Sequence, residues 1–158
     1  MTSKYQYLLA VVLTLGLVST AMAAGSSSSS SRPAAKPSTY QQGVSAVKTG
    51  DYGRALGLFE KVVRANPRNA DAWNYIGFSH RNLKQFDQAL TAYTKALGID
   101  PEHRGANEYL GELYLQTGDL EKARARLKTL DAACMFGCEE YDDLKQAIKK
   151  YEAADKRG

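Results

Sequence analysis

Two cysteines carry the most distinctive side-chain chemistry of this chain. They are Cys134 and Cys138, separated by Met135-Phe136-Gly137. Thiols at this spacing can close a disulfide, act as a redox pair or contribute to a metal site. The thioredoxin-like redox motif is C-x-x-C near a βαβ pattern, and here the spacing is one residue longer with no strand pattern nearby. A zinc site needs about four ligands, and the histidines His80 and His103 are the remaining soft ligands. We therefore expect no metal and no cofactor.

Catalytic motifs are absent from the sequence. It contains no G-x-S-x-G, no G-x-x-x-x-G-K-[ST], no G-x-G-x-x-G and no H-E-x-x-H. The carboxylates are spread along the chain rather than paired in an apolar segment, which is where a general acid would be tuned. The sequence therefore predicts a protein that is not an enzyme.

The first residues have the pattern of an export signal. Lys4 is followed by the apolar run Leu8–Val18 and then by Ala21-Met22-Ala23, an A-x-A-like cleavage site. The run is shorter than the roughly 20 apolar residues of a spanning helix, so we expect cleavage after residue 23 and no stable membrane anchor thereafter. Export predicts a periplasmic or secreted protein. Disulfides persist in such compartments, which makes a Cys134–Cys138 disulfide the main prediction and a thiol redox pair the distant alternative.

A low-complexity segment follows the signal. Residues 24–38 are rich in serine and proline, a composition that cannot bury enough apolar surface to offset chain entropy. We interpret this segment as a disordered linker. The net charge is +4 with basic and acidic residues interspersed, so the composition gives no reason to expect binding to nucleic acid or to an anionic membrane surface.

The rest of the chain repeats with a period of 34 residues. Gly50–Phe59 aligns with Lys84–Tyr93 at this offset, and Gly118–Ala123 follows at the next one. The same shift relates Gly43 to Gly77 and Gly111, and relates Ala55 to Ala89 and Ala123. Apolar residues in each unit recur at i, i+3, i+4 and i+7, which predicts two amphipathic helices per unit. A period of this length indicates a stacked repeat architecture.

The units resemble the tetratricopeptide repeat (TPR) family. The middle unit matches its pattern of W-x2-L-G-x2-Y, then A-x3-F, then P, with the residues Trp73, Ile76, Gly77, His80, Ala89, Tyr93 and Pro101. The third unit departs from the pattern, with Leu127 at the aromatic position and Met135 at the proline position. The resemblance covers about 100 of the 158 residues. It implies an all-α, right-handed α-solenoid in which 39–137 forms about three TPR helix-turn-helix repeats, with repeat units at about 36–69, 70–103 and 104–137.

A further amphipathic segment follows the third repeat. Leu144, Ala147, Ile148 and Tyr151 lie at i, i+3, i+4 and i+7, and acidic residues precede them. Acidic residues at a helix N-terminus complement the helix dipole, and terminal repeats usually need a capping element. We predict a capping helix over 138–154, tied to the last repeat by the disulfide, and a short tail over 155–158.

The family resemblance also implies a function. The first helices of successive TPR repeats line a concave groove that binds a peptide or a helix of another protein. Carried over to this chain, the groove residues are Tyr40, Val44, Val47, Asn74, Phe78, Arg81, Asn82, Glu108, Glu112 and Gln116. The resemblance thus predicts a non-catalytic adaptor of the bacterial cell envelope with another envelope protein as its partner. The alternative is a structural module that associates with itself.

Overall fold

The computed structural model describes residues 37–156 as a series of seven helices joined by short turns, with no strand in that range. The predicted signal peptide and all but the last two residues of the predicted linker lie outside the described residues. The helices are α1 (Thr39–Lys48), α2 (Tyr52–Ala65), α3 (Ala70–Asn82), α4 (Phe86–Ile99), α5 (Arg104–Gln116), α6 (Leu120–Ala133) and α7 (Glu139–Asp155). Among these seven, no helix is long and apolar enough to cross a bilayer. The all-helical fold that the sequence predicts is confirmed.

Short polar residues determine where most of the helices begin. Asp51, Asn69 and Asp119 each accept a hydrogen bond from the backbone N–H three residues further on, at 2.9–3.1 Å. Ser38 forms a reciprocal capping box with Gln41, although the sequence assigns Ser38 to the end of the linker. Such caps satisfy backbone donors that have no partner within the helix, so the chain enters each helix at a defined residue.

The turn inside each helix pair requires a left-handed residue. Gly50 and Gly118 occupy it in the first and third pairs with φ of 74° and 82°, and Lys84 occupies it in the second with φ of 61°. Glycine adopts this conformation without the steric cost that a side chain brings. The 34-residue spacing of this position therefore reflects one turn geometry used three times.

The helices stack as successive pairs. Within each pair the two helices pack together, and neighbouring first helices also contact one another: α1 with α3, α3 with α5 and α5 with α7. The second helices α2, α4 and α6 make no such contacts with each other in the described region. The first helices are thus closer together, and the stack is concave on their side, as expected for an α-solenoid.

In two of the helix pairs, an aromatic ring of the second helix packs directly against a glycine of the first helix. A Cβ atom added to Gly43 would lie 2.8 Å from the Phe59 ring, and one added to Gly77 would lie 2.6 Å from the Tyr93 ring. Phe59 and Tyr93 are fully buried. The small residue lets the ring and the facing helix approach closely, which explains why glycine recurs at this place in the repeat.

In the third helix pair, the side chain that packs against the glycine comes from a different helix. The residue that faces Gly111 is Leu144 of α7, whose Cδ2 atom would lie 2.5 Å from an added Cβ. Leu127, which aligns with Phe59 and Tyr93, is only half-buried. The last helix therefore supplies the side chain that the third repeat lacks, and α7 belongs to the core of the stack.

Replacing Gly77 by alanine is expected to lower the free energy of unfolding by about 1–3 kcal/mol, because the new methyl group overlaps a ring that is packed on all sides. Gly57, in the middle of α2, is the matched control, since nothing lies within 4 Å of an added Cβ there. The Gly57→Ala variant is expected to be more stable by about 0.5–1 kcal/mol, the helix-propensity gain alone. Urea unfolding of both variants measures the difference; equal effects would contradict the close approach at Gly77.

The predicted disulfide is present in the structure, where it joins Cys134 at the end of α6 to Cys138 at the start of α7. Gly137 adopts a φ of 85° between them, which allows the tight reversal. The loop leaves Met135 84% exposed and Phe136 98% exposed. The bond therefore fixes the last helix to the third repeat and displays two apolar side chains beside it.

Candidate functional site

The concave surface formed by the first helices is the candidate functional site, and we call it the groove. All ten residues that the sequence predicts for a partner-binding groove lie on first helices: Tyr40, Val44 and Val47 on α1, Asn74, Phe78, Arg81 and Asn82 on α3, and Glu108, Glu112 and Gln116 on α5. Their contact with a partner stays a prediction, but their surroundings differ and decide what each can do.

At the α1 end, the predicted residues belong largely to the core. Tyr40, Val44 and Val47 are half-buried and pack against a cluster that contains Phe59. The Tyr40 ring lies edge-on to Phe59 with centroids 5.6 Å apart. This end of the groove therefore presents the partly exposed sides of apolar residues whose main contacts are internal.

The centre of the groove is aromatic. The Phe78 ring lies between Tyr109 of α5, at 4.9 Å between centroids, and Tyr52 of α2, at 6.0 Å. Phe78 is half-buried rather than free, so it both packs within the stack and shows one part of its ring to solvent. Clustered, partly exposed aromatic side chains are typical of binding hot spots.

Arg81 lies beside this aromatic cluster. Its guanidinium group is 5.5 Å from the centroids of both Phe78 and Tyr109 and pairs with the Glu112 carboxylate at 2.6 Å. Arg81 is buried, and a buried cation without a partner would be costly. The ion pair therefore links α3 to α5 across the groove and uses the Arg81 charge internally.

Acidic side chains lie towards the α7 end of the groove. Glu108 is only 7% exposed, and within residues 37–156 it forms no hydrogen bond or ion pair. Burial, followed by the nearby carboxylates of Glu112, Asp143 and Glu140, raises the pKa of Glu108 to about 8, and Arg81 only partly offsets this rise. The carboxyl group is thus held where its charged form lacks a counter-charge.

The remaining predicted residues have ordinary roles. The Asn82 side chain is exposed and donates a hydrogen bond to the Phe78 carbonyl at 2.8 Å, and Gln116 is exposed at the end of α5. Asn74 is buried, and its side-chain oxygen has no donor in the described part of the chain. Of these three side chains, the exposed amides of Asn82 and Gln116 are accessible to a ligand.

Four residues in or beside the groove are not predicted by the sequence: Tyr52, Tyr109, Glu140 and Asp143. Tyr109 aligns with Tyr75 at the 34-residue offset, a signal that could have identified it. Glu140 and Asp143 are among the acidic residues that the sequence places in the first turns of the capping helix, and their effect on Glu108 depends on how α7 packs. Tyr52 lies on a second helix, outside the set that family resemblance assigns to the groove.

The two histidines have structural roles at helix ends, His80 in the last turn of α3 and His103 before α5. His103 begins α5: its Nδ1 atom accepts from the Ala106 N–H at 3.1 Å, which places the proton on Nε2, and Nε2 lies 3.1 Å from the Asp71 carboxylate. His80 Nδ1 lies 2.6 Å from the Gln85 side-chain oxygen. No group of three or more His, Cys, Asp and Glu side chains in the described residues is arranged to hold a metal ion.

Comparison with known proteins identifies similar repeats over this region. Sequence profiles described as tetratricopeptide repeat match residues 40–100 and 81–148. Tetratricopeptide repeat protein 37 of Xenopus laevis is 38% identical over 120 residues, which are 69% of this chain and 8% of that protein. Small glutamine-rich tetratricopeptide repeat-containing protein 2 of Saccharomyces cerevisiae is 30% identical over 118 residues, 73% of this chain and 32% of that protein. The chain thus spans less than a third of the length of these relatives.

Solved structures share the fold. The first TPR of Spaghetti (RPAP3), solved with the HSP90 peptide SRMEEVD, superposes with a TM-score of 0.63 at 20% identity over 73% of this chain and 90% of that one. PcrH, solved in complex with the chaperone binding region of PopD, gives a TM-score of 0.63 at 21% identity over 75% of this chain and 90% of that one. At this level of identity the likeness concerns the arrangement of the helices.

Proposed function

The chain belongs to the tetratricopeptide repeat family, and from that premise we propose that it is a non-catalytic adaptor that binds a segment of another protein in its groove. We place it in the bacterial cell envelope, with an envelope protein as the partner. The export-signal pattern of residues 1–23 and the Cys134–Cys138 disulfide support this location, since disulfides persist in oxidising compartments.

The observation that carries the proposal is the partly exposed aromatic cluster at the centre of the groove. Phe78 keeps part of its ring open to solvent although Tyr52 and Tyr109 lie on either side of it. Such a surface gains apolar contact on binding while the ordering cost is small, because its side chains are already held by packing. The structures of Spaghetti with the HSP90 peptide and of PcrH with the chaperone binding region of PopD support the proposal, since proteins with the same helix arrangement bind a segment of another protein.

The test is cross-linking of the full-length protein in its native envelope, with identification of the captured proteins. The Phe78→Ala variant is expected to lose its dominant partner by at least about tenfold, the loss typical of a hot-spot side chain. Leu90→Ala is the matched control, because it removes an apolar side chain that is 38% exposed on α4, a second helix outside the groove. Circular dichroism checks that both variants are folded.

If both variants capture the same partner equally, the groove is not the binding surface. If the wild-type protein captures only further copies of itself, the self-associating module replaces the adaptor as the proposed function. In that case the exposed Met135 and Phe136 become the first residues to substitute.

A further inference from the structure

The acidic end of the groove contains a buried carboxylate without a counter-charge. Glu108 is only 7% exposed, yet no hydrogen-bond donor or cation in the described chain pairs with it. Its oxygen atoms are not among the unpartnered side-chain atoms that are inaccessible to solvent, so the carboxyl group keeps some contact with solvent. Burying an unpaired carboxylate is costly. A neutral residue at this position would make the protein more stable, so an acidic residue there is favourable only if a ligand supplies the missing counter-charge.

The groups around Glu108 add negative charge rather than neutralise it. Glu112 lies one turn further along α5, and α7 packs on α5 through Leu144 and Gly111, which brings the charges of Glu140 and Asp143 close enough to raise the pKa of Glu108. The cation that acts on Glu108 is Arg81 of α3, whose guanidinium is already bound to Glu112 at 2.6 Å, while Lys145 and Lys149 lie near Asp143 on the exposed side of α7. With a pKa of about 8, Glu108 is mostly protonated at neutral pH while the groove is empty. The acidic groups around it outnumber the cation that acts on it, so the field there attracts a positive charge.

The described residues contain no group of three or more carboxylate, histidine or cysteine side chains close enough to hold a metal ion. A cation on a long flexible side chain, in contrast, reaches between carboxylates that stand further apart, and it brings its own hydrogen-bond donors. Immediately beside the carboxylates, Tyr109 and Phe78 lie 4.9 Å apart and offer an apolar surface.

We propose that this end of the groove binds a lysine or arginine side chain of the partner segment, with its charged group among Glu108, Glu140 and Asp143. An apolar side chain next to that residue packs on Phe78 and Tyr109. The inference rests on the proposed function, which it deepens by naming the chemistry of the partner. The ligand is thus a short segment in which a basic residue neighbours an aromatic or aliphatic one.

The experiment uses a displayed library of random 12-residue peptides, selected on the full-length protein and on a Glu108→Gln, Asp143→Asn variant. Peptides from the wild-type selection are expected to be enriched in Lys or Arg next to an apolar residue. The affinity of the best such peptide is expected to fall about 10- to 100-fold in the double variant, the usual effect of losing hydrogen bonds to a charged group. Removal of the basic residue from the peptide is expected to have the same effect.

A second variant, Glu139→Gln with Asp142→Asn, is the control. It removes the same formal charge from exposed positions of α7 and is expected to bind the peptide as the wild type does. An equal loss in both variants would show a diffuse charge effect and overturn the assigned site.

Two further outcomes separate this inference from the proposed function. Selected peptides that depend on Phe78 but show no enrichment of basic residues leave the groove function standing and overturn the inference. If no peptide is selected, or if the selected peptides bind the Phe78→Ala variant as tightly as the wild type, both the inference and the proposed function are overturned. A folding defect is distinguished by circular dichroism, and the isosteric substitutions keep that risk small.

Discussion

Replacing Leu144 by alanine is expected to lower the free energy of unfolding by about 3 kcal/mol, within the range of about 2–5 kcal/mol for buried leucines. Leu144 is fully buried although it belongs to the last helix. It lies against Gly111, where the first two repeats place Phe59 and Tyr93 against a glycine. Shortening it leaves a cavity between α5 and α7, which urea unfolding measures directly.

Leu127→Ala is the informative comparison, since it makes the same chemical change at the residue that aligns with Phe59 and Tyr93. Leu127 is only half-buried, so its loss is expected to cost less than half as much. Gln146→Ala, a substitution at an exposed position of α7, is expected to change the free energy of unfolding by no more than about 0.5 kcal/mol. A larger effect at Leu127 than at Leu144 would mean that α7 is a peripheral cap rather than a part of the core.

Replacing Glu108 by glutamine is expected to stabilise the protein increasingly as the pH rises. Burial and the nearby carboxylates raise the pKa of Glu108 from 4.5 to about 8 in the folded protein. Below pH 4.5 the group is protonated in both folded and unfolded chains and costs nothing. As the pH rises towards 8 the unfolded chain alone ionises, so the wild-type protein loses stability relative to the variant. We expect a difference of roughly 2–4 kcal/mol at pH 8 that almost vanishes at pH 4.

The measurement is a set of urea titrations between pH 4 and pH 8.5 for the wild type and the variant. Glu102→Gln, in the exposed turn before α5, controls for the removal of one acidic residue. A Glu108→Gln variant that is less stable than the wild type at pH 8 would contradict the absence of a counter-charge. Addition of a bound basic peptide is expected to shrink the difference, because the peptide supplies that charge.

Much of the fold could be predicted because its determinants are local. A left-handed turn at Gly50 and Gly118, and caps at Asp51 and Asp119, act within a few residues of themselves. Their repetition every 34 residues therefore appears directly in the sequence. The close approach at Gly77 can also be predicted from the sequence, because the pairing of a glycine with an aromatic residue recurs at the 34-residue offset.

The candidate site could be predicted only in outline. Family resemblance identified Phe78, Arg81 and Glu108 as groove residues, but not how they interact. Phe78 is held between rings from two other helices, and the Arg81 charge is taken up by Glu112. Neither fact follows from periodicity, since the period places a residue on a helix face without showing which neighbours its side chain reaches.

The sequence by itself determined the helices, their turns and their pairing, because these depend on spacing and on short-range capping. The side of each pair that forms the groove was assigned through the resemblance to the family. Only the tertiary structure decided that Leu144 completes the third repeat and that Glu140 and Asp143 come close enough to raise the pKa of Glu108. Both results come from the packing of α7 on α5, a contact between segments some 30 residues apart. The packing depends on the shape left open by Leu127 and Gly111, and a pattern of residue types does not encode a shape.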